Sequence, residues 1–297
     1  MKKKWVVGLT LVSMLAIFTV NAYPWGSAVH VYVAFKLKGF DPNVMYGAMA
    51  PDCFNYYFDP PYEARPTLYG QFHNNPIALW DAAAGDPVKQ ALAYGFLSHG
   101  HVGGADTTAH LAGAHFGKKD GYVIDKAKIL DNILTKFPEY RMLKAKYPEV
   151  SLEVAHNLVE NAIDILIKRV DPQIGQKIQL AAILRDPIFP DWLASVYVYP
   201  FSYLIPVVED AFCGMMIGYG WLFDSYSEPD LVYWLSQQMA GFAGSFLPPD
   251  AQIPYETAFA IAKYGTEKAM TICQGTFSKE IEATVKYVES NLAGYIY

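Results

Sequence analysis

Residues 151–169 read SLEVAHNLVENAIDILIKR, and this stretch decides the fold class. Its apolar residues recur at three- and four-residue spacing, which places them on one face of an amphipathic α-helix. They are Val154, Leu158, Ala162, Ile165 and Leu166. Ser151 is expected to cap this helix, and a stop is expected before Asp171. His156 and Glu160, four residues apart, share a face, where they form either an ordinary surface pair or half of a metal site.

The helical pattern repeats on both sides of this stretch. Gly39 is expected to end a first helix, and Pro87 stands in the first turn of another. The best strand candidate, residues 194–208, is interrupted by Pro200, which disfavours a strand. The sequence therefore predicts an all-α protein. The other segments with helical periodicity are 29–39, 86–99, 125–137, 229–247, 255–272 and 278–292.

The N-terminus has the pattern of a secretory signal. MKKK precedes a continuous apolar stretch, and Val20 and Ala22 are the small residues expected before a cleavage site. We expect residues 1–22 to be a signal peptide, with an uncleaved anchor helix as the alternative. The mature chain is then secreted or periplasmic.

The mature chain divides where Pro and Asp concentrate, near residues 185–191. We predict a helical domain over residues 23–185 and a helical C-terminal region over residues 186–297 packed on it. All seven histidines precede this boundary, so the chemistry is expected in the first part. The net charge of -6, without a basic run beyond the N-terminus, argues against a stable nucleic-acid partner.

A second informative stretch is SHGHVGGADTTAH, residues 98–110. On a continuous helix His99, Asp106 and His110 would share a face, with Asp106 and His110 each within about 20° of His99. His99 and Asp106 would nevertheless lie about 10 Å apart along the axis, which is long for one ion. Either several ions lie along the face, or the glycines interrupt the helix and bring the ligands together. An incidental group of histidines in a glycine-containing helix is the third reading.

Three upstream pieces complete an ordered set. WGSAVH contains Trp25 and His30, GAMAPDCFNY places Asp52 behind a proline, and GQFHNNP places His73 in an expected loop. Each piece alone is better explained as structural. In chain order, however, the pieces alternate imidazole and carboxylate groups, which are the donors that zinc favours.

The ordered set resembles the zinc-dependent phospholipase C family. That family is similar to the zinc-dependent single-strand nucleases and to the catalytic domain of glycosylphosphatidylinositol phospholipase D. The resemblance covers roughly residues 25–170 and implies an all-α domain that holds two to three zinc ions. It implies three sets of ligands, with Asp106 bridging two ions: His30 with the N-terminal residue; Asp52, His73, the LSH histidine and Asp106; and His110, His156 and Glu160.

Two features depart from the family pattern. The family has three residues between the helix histidine and the aspartate, whereas six separate His99 from Asp106 and four separate His101 from it. His99 aligns best and His101 is its rival. The family's first mature residue is often the Trp itself, but the expected cut leaves Tyr23 and Pro24 ahead of Trp25, so Trp25 as a ligand depends on trimming.

Zinc lowers the pKa of a bound water and can clamp phosphate oxygens. Asp52 is the candidate for orienting or deprotonating that water. We therefore expect a zinc-dependent phosphodiesterase, a phospholipase C acting on phospholipid. Glu160 at the end of the last set, where the nuclease relatives usually have Asp, and aromatic residues of the second part suited to peripheral membrane contact favour this substrate. A single-strand nuclease and a non-catalytic zinc-stabilised helical protein are the alternatives.

Overall fold

The computed structural model describes residues 26–57, 59–117, 119–197 and 200–297, and leaves the side chains of residues 244–246 undescribed. The regular structure of the described residues is helical throughout, so the predicted all-α class is confirmed. The helices are α1 (Ser27–Lys38), α2 (Pro42–Met49), α3 (Ala64–Asn74), α4 (Ile77–Ala82), α5 (Pro87–His99), α6 (Tyr122–Leu134), α7 (Pro138–Lys146), α8 (Pro148–Val170), α9 (Ile174–Leu184), α10 (Phe189–Val196), α11 (Ile205–Ser225), α12 (Glu228–Phe246), α13 (Tyr255–Cys273) and α14 (Phe277–Asn291).

Several helix ends follow the residues that predicted them. Gly39 caps α1 with a positive φ of 69°, which an L side chain rarely adopts. Pro87 is the first residue of α5, and the Asp86 carboxylate accepts hydrogen bonds from the N–H groups of the first turn. Local sequence chemistry is sufficient at these positions because a cap acts within one helical turn.

Two local expectations were wrong, and a third, that Pro200 disfavours a strand, agrees with the described residues. Ser151 does not cap its helix, because α8 begins three residues earlier at Pro148 and proline is well accommodated in the first turn. His73 lies in the last turn of α3 rather than in a loop. The described part of residues 194–208 forms no strand: α10 ends at Val196, and α11 begins at Ile205 with proline in its first turn.

Helices α2 and α5 approach closely because each has a glycine at the contact. A Cβ on Gly47 would lie 2.2 Å from the carbonyl oxygen of Leu92, and one on Gly95 would lie 2.1 Å from that of Val44. Neither position can therefore carry a larger residue without separating the helices. This close approach places the carbonyl of Ala48 against the side chain of His99.

One hydrophobic core extends through both predicted regions, from Ala28 to Leu292. The C-terminal region thus packs on the N-terminal helices, while the boundary near residue 186 stays a prediction. No helix among the described residues is both long enough and apolar enough to cross a membrane. The predicted signal peptide and Trp25 lie outside the described residues.

Candidate metal centre

Six histidines and three acidic residues meet inside the molecule. His30 comes from α1, His73 from the end of α3, and His99 from the end of α5. Asp52 lies in a short 3-10 helix after α2, and α8 contributes both His156 and Glu160. His101, Asp106 and His110 follow α5, and His115 is the one histidine whose ring is in none of the groups that could hold a metal.

The glycines of residues 98–110 interrupt the helix, so the continuous-helix geometry was wrong. Helix α5 ends at His99 with Gly100 as its C-cap, and Gly103 turns the chain with a φ of 79°. A short π-helix then covers Thr107–Leu111. The turn brings Asp106 Oδ2 to 3.2 Å from His99 Nε2, instead of the about 10 Å that a continuous helix would give.

Asp52, His73, His99 and Asp106, called the tetrahedral group below, have most of the distances that the ligands of one metal ion require. Zinc–nitrogen bonds of about 2.0–2.1 Å place neighbouring tetrahedral ligands about 3.3 Å apart. His73 Nε2 lies 3.0 Å from His99 Nε2. Asp52 Oδ1 lies 3.2 Å from the His73 nitrogen and 3.4 Å from the His99 nitrogen. The same two nitrogens lie 3.6 Å and 3.2 Å from Asp106 Oδ2. Five of the six edges of a tetrahedron therefore have suitable lengths.

The two imidazoles at this position each direct a lone pair inward. His73 Nδ1 lies 2.9 Å from the carbonyl oxygen of Tyr69, and His99 Nδ1 lies 2.8 Å from that of Ala48. A carbonyl only accepts, so each Nδ1 carries the hydrogen and each Nε2 is left as an acceptor. Two acceptors 3.0 Å apart repel unless a proton or a metal ion lies between them.

A second triad lies at the end of the cluster. His156 Nε2 lies 2.7 Å from Glu160 Oε1, and His110 Nε2 lies 3.1 Å from both groups. His156 Nδ1 lies 3.3 Å from Glu153 Oε2, so a second carboxylate orients the ring. The i,i+4 pair predicted from sequence does converge. Glu153 was missed, although its position three residues before His156 on the same helix was a signal for it.

The two carboxylate oxygens of Asp106 lie near different histidines. Its Oδ1 lies 3.4 Å from His30 Nε2, whereas its Oδ2 lies near His73 and His99. This arrangement suits a carboxylate that bridges two cations. His30 also stacks on His99, with ring centroids 3.9 Å apart.

Several buried atoms of the cluster have no hydrogen-bond partner among the described residues. They are both ring nitrogens of His30, Asp52 Oδ2, His101 Nε2, both carboxylate oxygens of Asp106 and Glu160 Oε2. A buried polar atom without a partner costs roughly 1–3 kcal/mol, so an accumulation of them at one place is expensive. Cation binding satisfies such acceptors, and these buried His and Asp groups could hold a metal ion.

The electrostatics of the cluster agree with a cation site. Burial alone would lower the pKa of His99, but the charges of Asp106 and Asp52 raise it well above the usual range. Burial lowers the pKa of His110 to about 3 and raises the pKa of Glu160 well above its usual range. His99 thus attracts positive charge, whereas His110 stays neutral with a lone pair for a ligand.

The C-terminal helix α14 supports the segment that carries Asp106 and His110. Thr284 and Thr108 share a hydrogen bond of 2.8 Å between their hydroxyl oxygens. The Glu280 carboxylate accepts hydrogen bonds from the N–H groups of three consecutive residues, Ala114, His115 and Phe116. The predicted C-terminal region therefore shapes the site although it provides no histidine.

Comparison with known proteins finds no family model, no curated protein and no solved structure that matches this chain.

Proposed function

We propose that the chain is an exported zinc-dependent phosphodiesterase that acts as a phospholipase C on phospholipid. One observation carries the proposal: six histidines and three carboxylates converge at ligand spacing, and several of their buried polar atoms lack partners among the described residues. Zinc ions bound there would acidify a water nucleophile and neutralise charge on the phosphate oxygens. The resemblance of the ordered motifs to the phospholipase C family supports the reaction class.

The histidines and Asp52 have different roles in the proposed reaction. His73 and His99 hold their Nε2 atoms in place through backbone carbonyls, so the ligand geometry is fixed before substrate arrives. Asp52 Oδ1 lies among the ligands and accepts from Asn55 Nδ2, whereas Oδ2 has no described partner. Asp52 Oδ2 is therefore the acceptor that can orient the attacking water or take its proton.

The cluster is open at one end. The side chains of His101, His110 and His156 are 18%, 11% and 12% exposed, whereas those of His73 and His99 are fully buried. A phosphate group in solution would reach the cluster from the side of these three histidines. We call this side the rim.

The aromatic residues of the second part favour a lipid substrate. Those singled out in the sequence divide between core and surface: Tyr197 and Tyr219 are buried, and Trp221 is exposed. Trp221 belongs to a series of rings in contact, with successive centroids 5.4–6.4 Å apart. We call this series the aromatic strip, and it comprises Trp221, Tyr226, Tyr233, Trp234, Tyr255 and Phe259.

Four members of the aromatic strip are 38–48% exposed, which is unusual for contiguous large rings. Trp and Tyr are the residues that favour a membrane–water interface. Two cations beside the strip are engaged: Arg169 pairs with Glu228 at 2.7 Å, and Lys168 donates to the carbonyls of Phe223 and Tyr226. The strip therefore suits a zwitterionic lipid surface better than a nucleic-acid backbone.

The decisive experiment measures metal and turnover on the same mature protein. We expect two to three zinc ions per chain by elemental analysis and cleavage of phosphatidylcholine vesicles, with no cleavage of single-stranded DNA. Cleavage of DNA alone would make the protein a nuclease. Metal-loaded protein that cleaves neither substrate, nor a generic phosphodiester, would be a structural zinc protein.

The aromatic strip has its own test and a matched control. The double change Trp221→Ala and Trp234→Ala should reduce turnover on vesicles while leaving turnover on a soluble short-chain substrate unchanged. Tyr203→Ala removes a more exposed ring outside the strip and should change neither rate. Equal loss on both substrates would mean that the strip acts on the fold rather than on lipid.

A further inference from the structure

His101 differs from the other histidines of the cluster. It lies in the glycine turn after α5, and its backbone N–H donates to the carbonyl of His73 at 2.9 Å. Its Nδ1 lies 3.4 Å from Asn74 Oδ1. The end of α3 therefore holds both the backbone and one ring nitrogen of His101, which leaves Nε2 as the inward atom.

That inward atom is a prepared ligand. His101 Nε2 is buried, has no hydrogen-bond partner among the described residues, and lies 3.5 Å from Asp106 Oδ2. With Asp106 and His110 it forms a triad whose ligand atoms lie within 4.8 Å of one another. This triad shares Asp106 Oδ2 with the tetrahedral group and adds His101 and His110, which lie on the rim.

His99 and His101 are therefore not rivals for one role. His99 belongs to the buried tetrahedral group through Asp52 and Asp106. His101 reaches the same carboxylate oxygen of Asp106 from the exposed side. The glycine turn allows both rings to point at Asp106, which a regular helix would forbid, since residues two apart differ by about 200° in direction.

We propose that His101, Asp106 and His110 form an additional, exchangeable zinc position on the rim of the cluster. The inference rests on the proposed zinc cluster and adds one cation to it. The sequence resemblance assigns ligands to the other positions and leaves one of the two histidines, His99 or His101, without a role.

The rim position should be the weakest of the set. The two ring nitrogens of His110 face different carboxylates. Nε2 lies 3.1 Å from Glu160 Oε1, and Nδ1 lies 3.8 Å from Asp106 Oδ2. A ring that binds a cation through Nε2 keeps a hydrogen on Nδ1 and must release it to bind a second cation, so His110 contributes least to the rim position. Repulsion between neighbouring dications weakens the last ion further. His101 and Asp106 then provide most of the binding, and the open side is left to water.

The test is a zinc-binding isotherm of the mature, full-length chain. Equilibrium dialysis against rising free zinc compares the wild type with His101→Ala and with His101→Gln, which keeps a polar side chain of similar length. We expect the wild type to bind one more ion at high free zinc than either variant, with the tightly held ions unchanged. Asn74→Leu, which frees the His101 ring, should weaken this last ion about tenfold.

His115→Ala is the matched control, because its ring belongs to no group of ligands and it should bind zinc like the wild type. Identical isotherms for the wild type and both His101 variants would overturn the rim position while leaving the proposed function intact. Loss of a tightly held ion in both variants would also overturn it and place His101 in the main cluster. Absence of tightly bound zinc from the wild type would instead refute the proposed function.

Discussion

Two buried carboxylates that lie one turn apart on α8 differ in their hydrogen-bond partners. Asp164 accepts hydrogen bonds from the N–H groups of Ala28 and Val29, each at 3.1 Å, and from the Tyr219 hydroxyl at 2.6 Å. Glu160 faces the ring nitrogens of His110 and His156, and its Oε2 has no partner among the described residues.

The contrast separates a structural carboxylate from a metal-binding one. Both side chains are fully buried, so burial alone does not distinguish them. Asp164 is satisfied by the start of α1 and therefore fixes the helix that carries His30 against α8. Glu160 is left for a cation. The following predictions test this division, beginning with the strongest effect.

Asp106→Asn should have the largest effect. The amide has no negative charge to hold two dications together, so we expect loss of zinc and a fall in phosphodiesterase activity of more than about 100-fold. Asp52→Asn should keep most of the metal while the rate falls by about 10²–10⁴-fold. Elemental analysis and vesicle assays on the same preparations measure both. Full metal content in Asp106→Asn would show that Asp106 does not bridge.

Glu160→Ala and Asp164→Ala form a matched pair. Glu160→Ala should remove zinc and activity while leaving the unfolding free energy of the metal-free protein close to that of the wild type. Asp164→Ala leaves three buried donors without an acceptor, and should lower that free energy by about 2–4 kcal/mol. Chemical denaturation in the presence of a chelator measures this, because metal binding then does not contribute. The same loss of stability in both variants would show that Glu160 stabilises the metal-free fold as much as Asp164 does.

Gly26→Ala should disturb the same contact from the other side. A Cβ at Gly26 would lie 2.0 Å from Asp164 Oδ2, so α1 must shift away from α8. We expect a loss of about 1–3 kcal/mol in unfolding free energy and weaker binding of the ion near His30. Close packing against Asp164 thus explains why WGSAVH has a glycine at position 26. Wild-type stability in Gly26→Ala would mean that the two helices adapt freely.

The last prediction concerns the pH dependence of stability. Burial raises the pKa of Asp164 from 3.8 to about 7, against the effect of its three hydrogen-bond donors. At pH values between these two pKa values, Asp164 keeps its proton in the folded state but has released it in the unfolded state. Stability should therefore fall as pH rises from about 4 to about 7, by at most about 1.4 kcal/mol per pH unit.

Asp164→Asn removes this titration and is the reference, since the other groups contribute equally to both proteins. The stability difference, wild type minus Asp164→Asn, should decrease across that window in chelator-treated samples. A difference that stays constant or rises with pH would show that the hydrogen bonds, rather than burial, dominate at Asp164.

The sequence by itself determined what depends on neighbours within a few turns. The period of residues 151–169 predicted the helical class because amphipathic spacing is local, and the pairing of His156 with Glu160 followed from one helix face. Gly39 and Pro87 predicted helix ends for the same reason. The three glycines of residues 98–110 signalled that the helix could break, but they left open where the chain would turn.

Only the tertiary structure decided how the pieces meet. The close approach of α2 and α5 brings the Ala48 carbonyl to His99 and selects the nitrogen that faces the cluster. The turn at Gly103 lets both His99 and His101 face Asp106, which the spacing of the two histidines in the sequence does not predict. Asp164 and Glu280 were invisible to motif reading because their partners lie on other elements. Distances between separate helices are set by packing of the whole core, and no local pattern of residues encodes them.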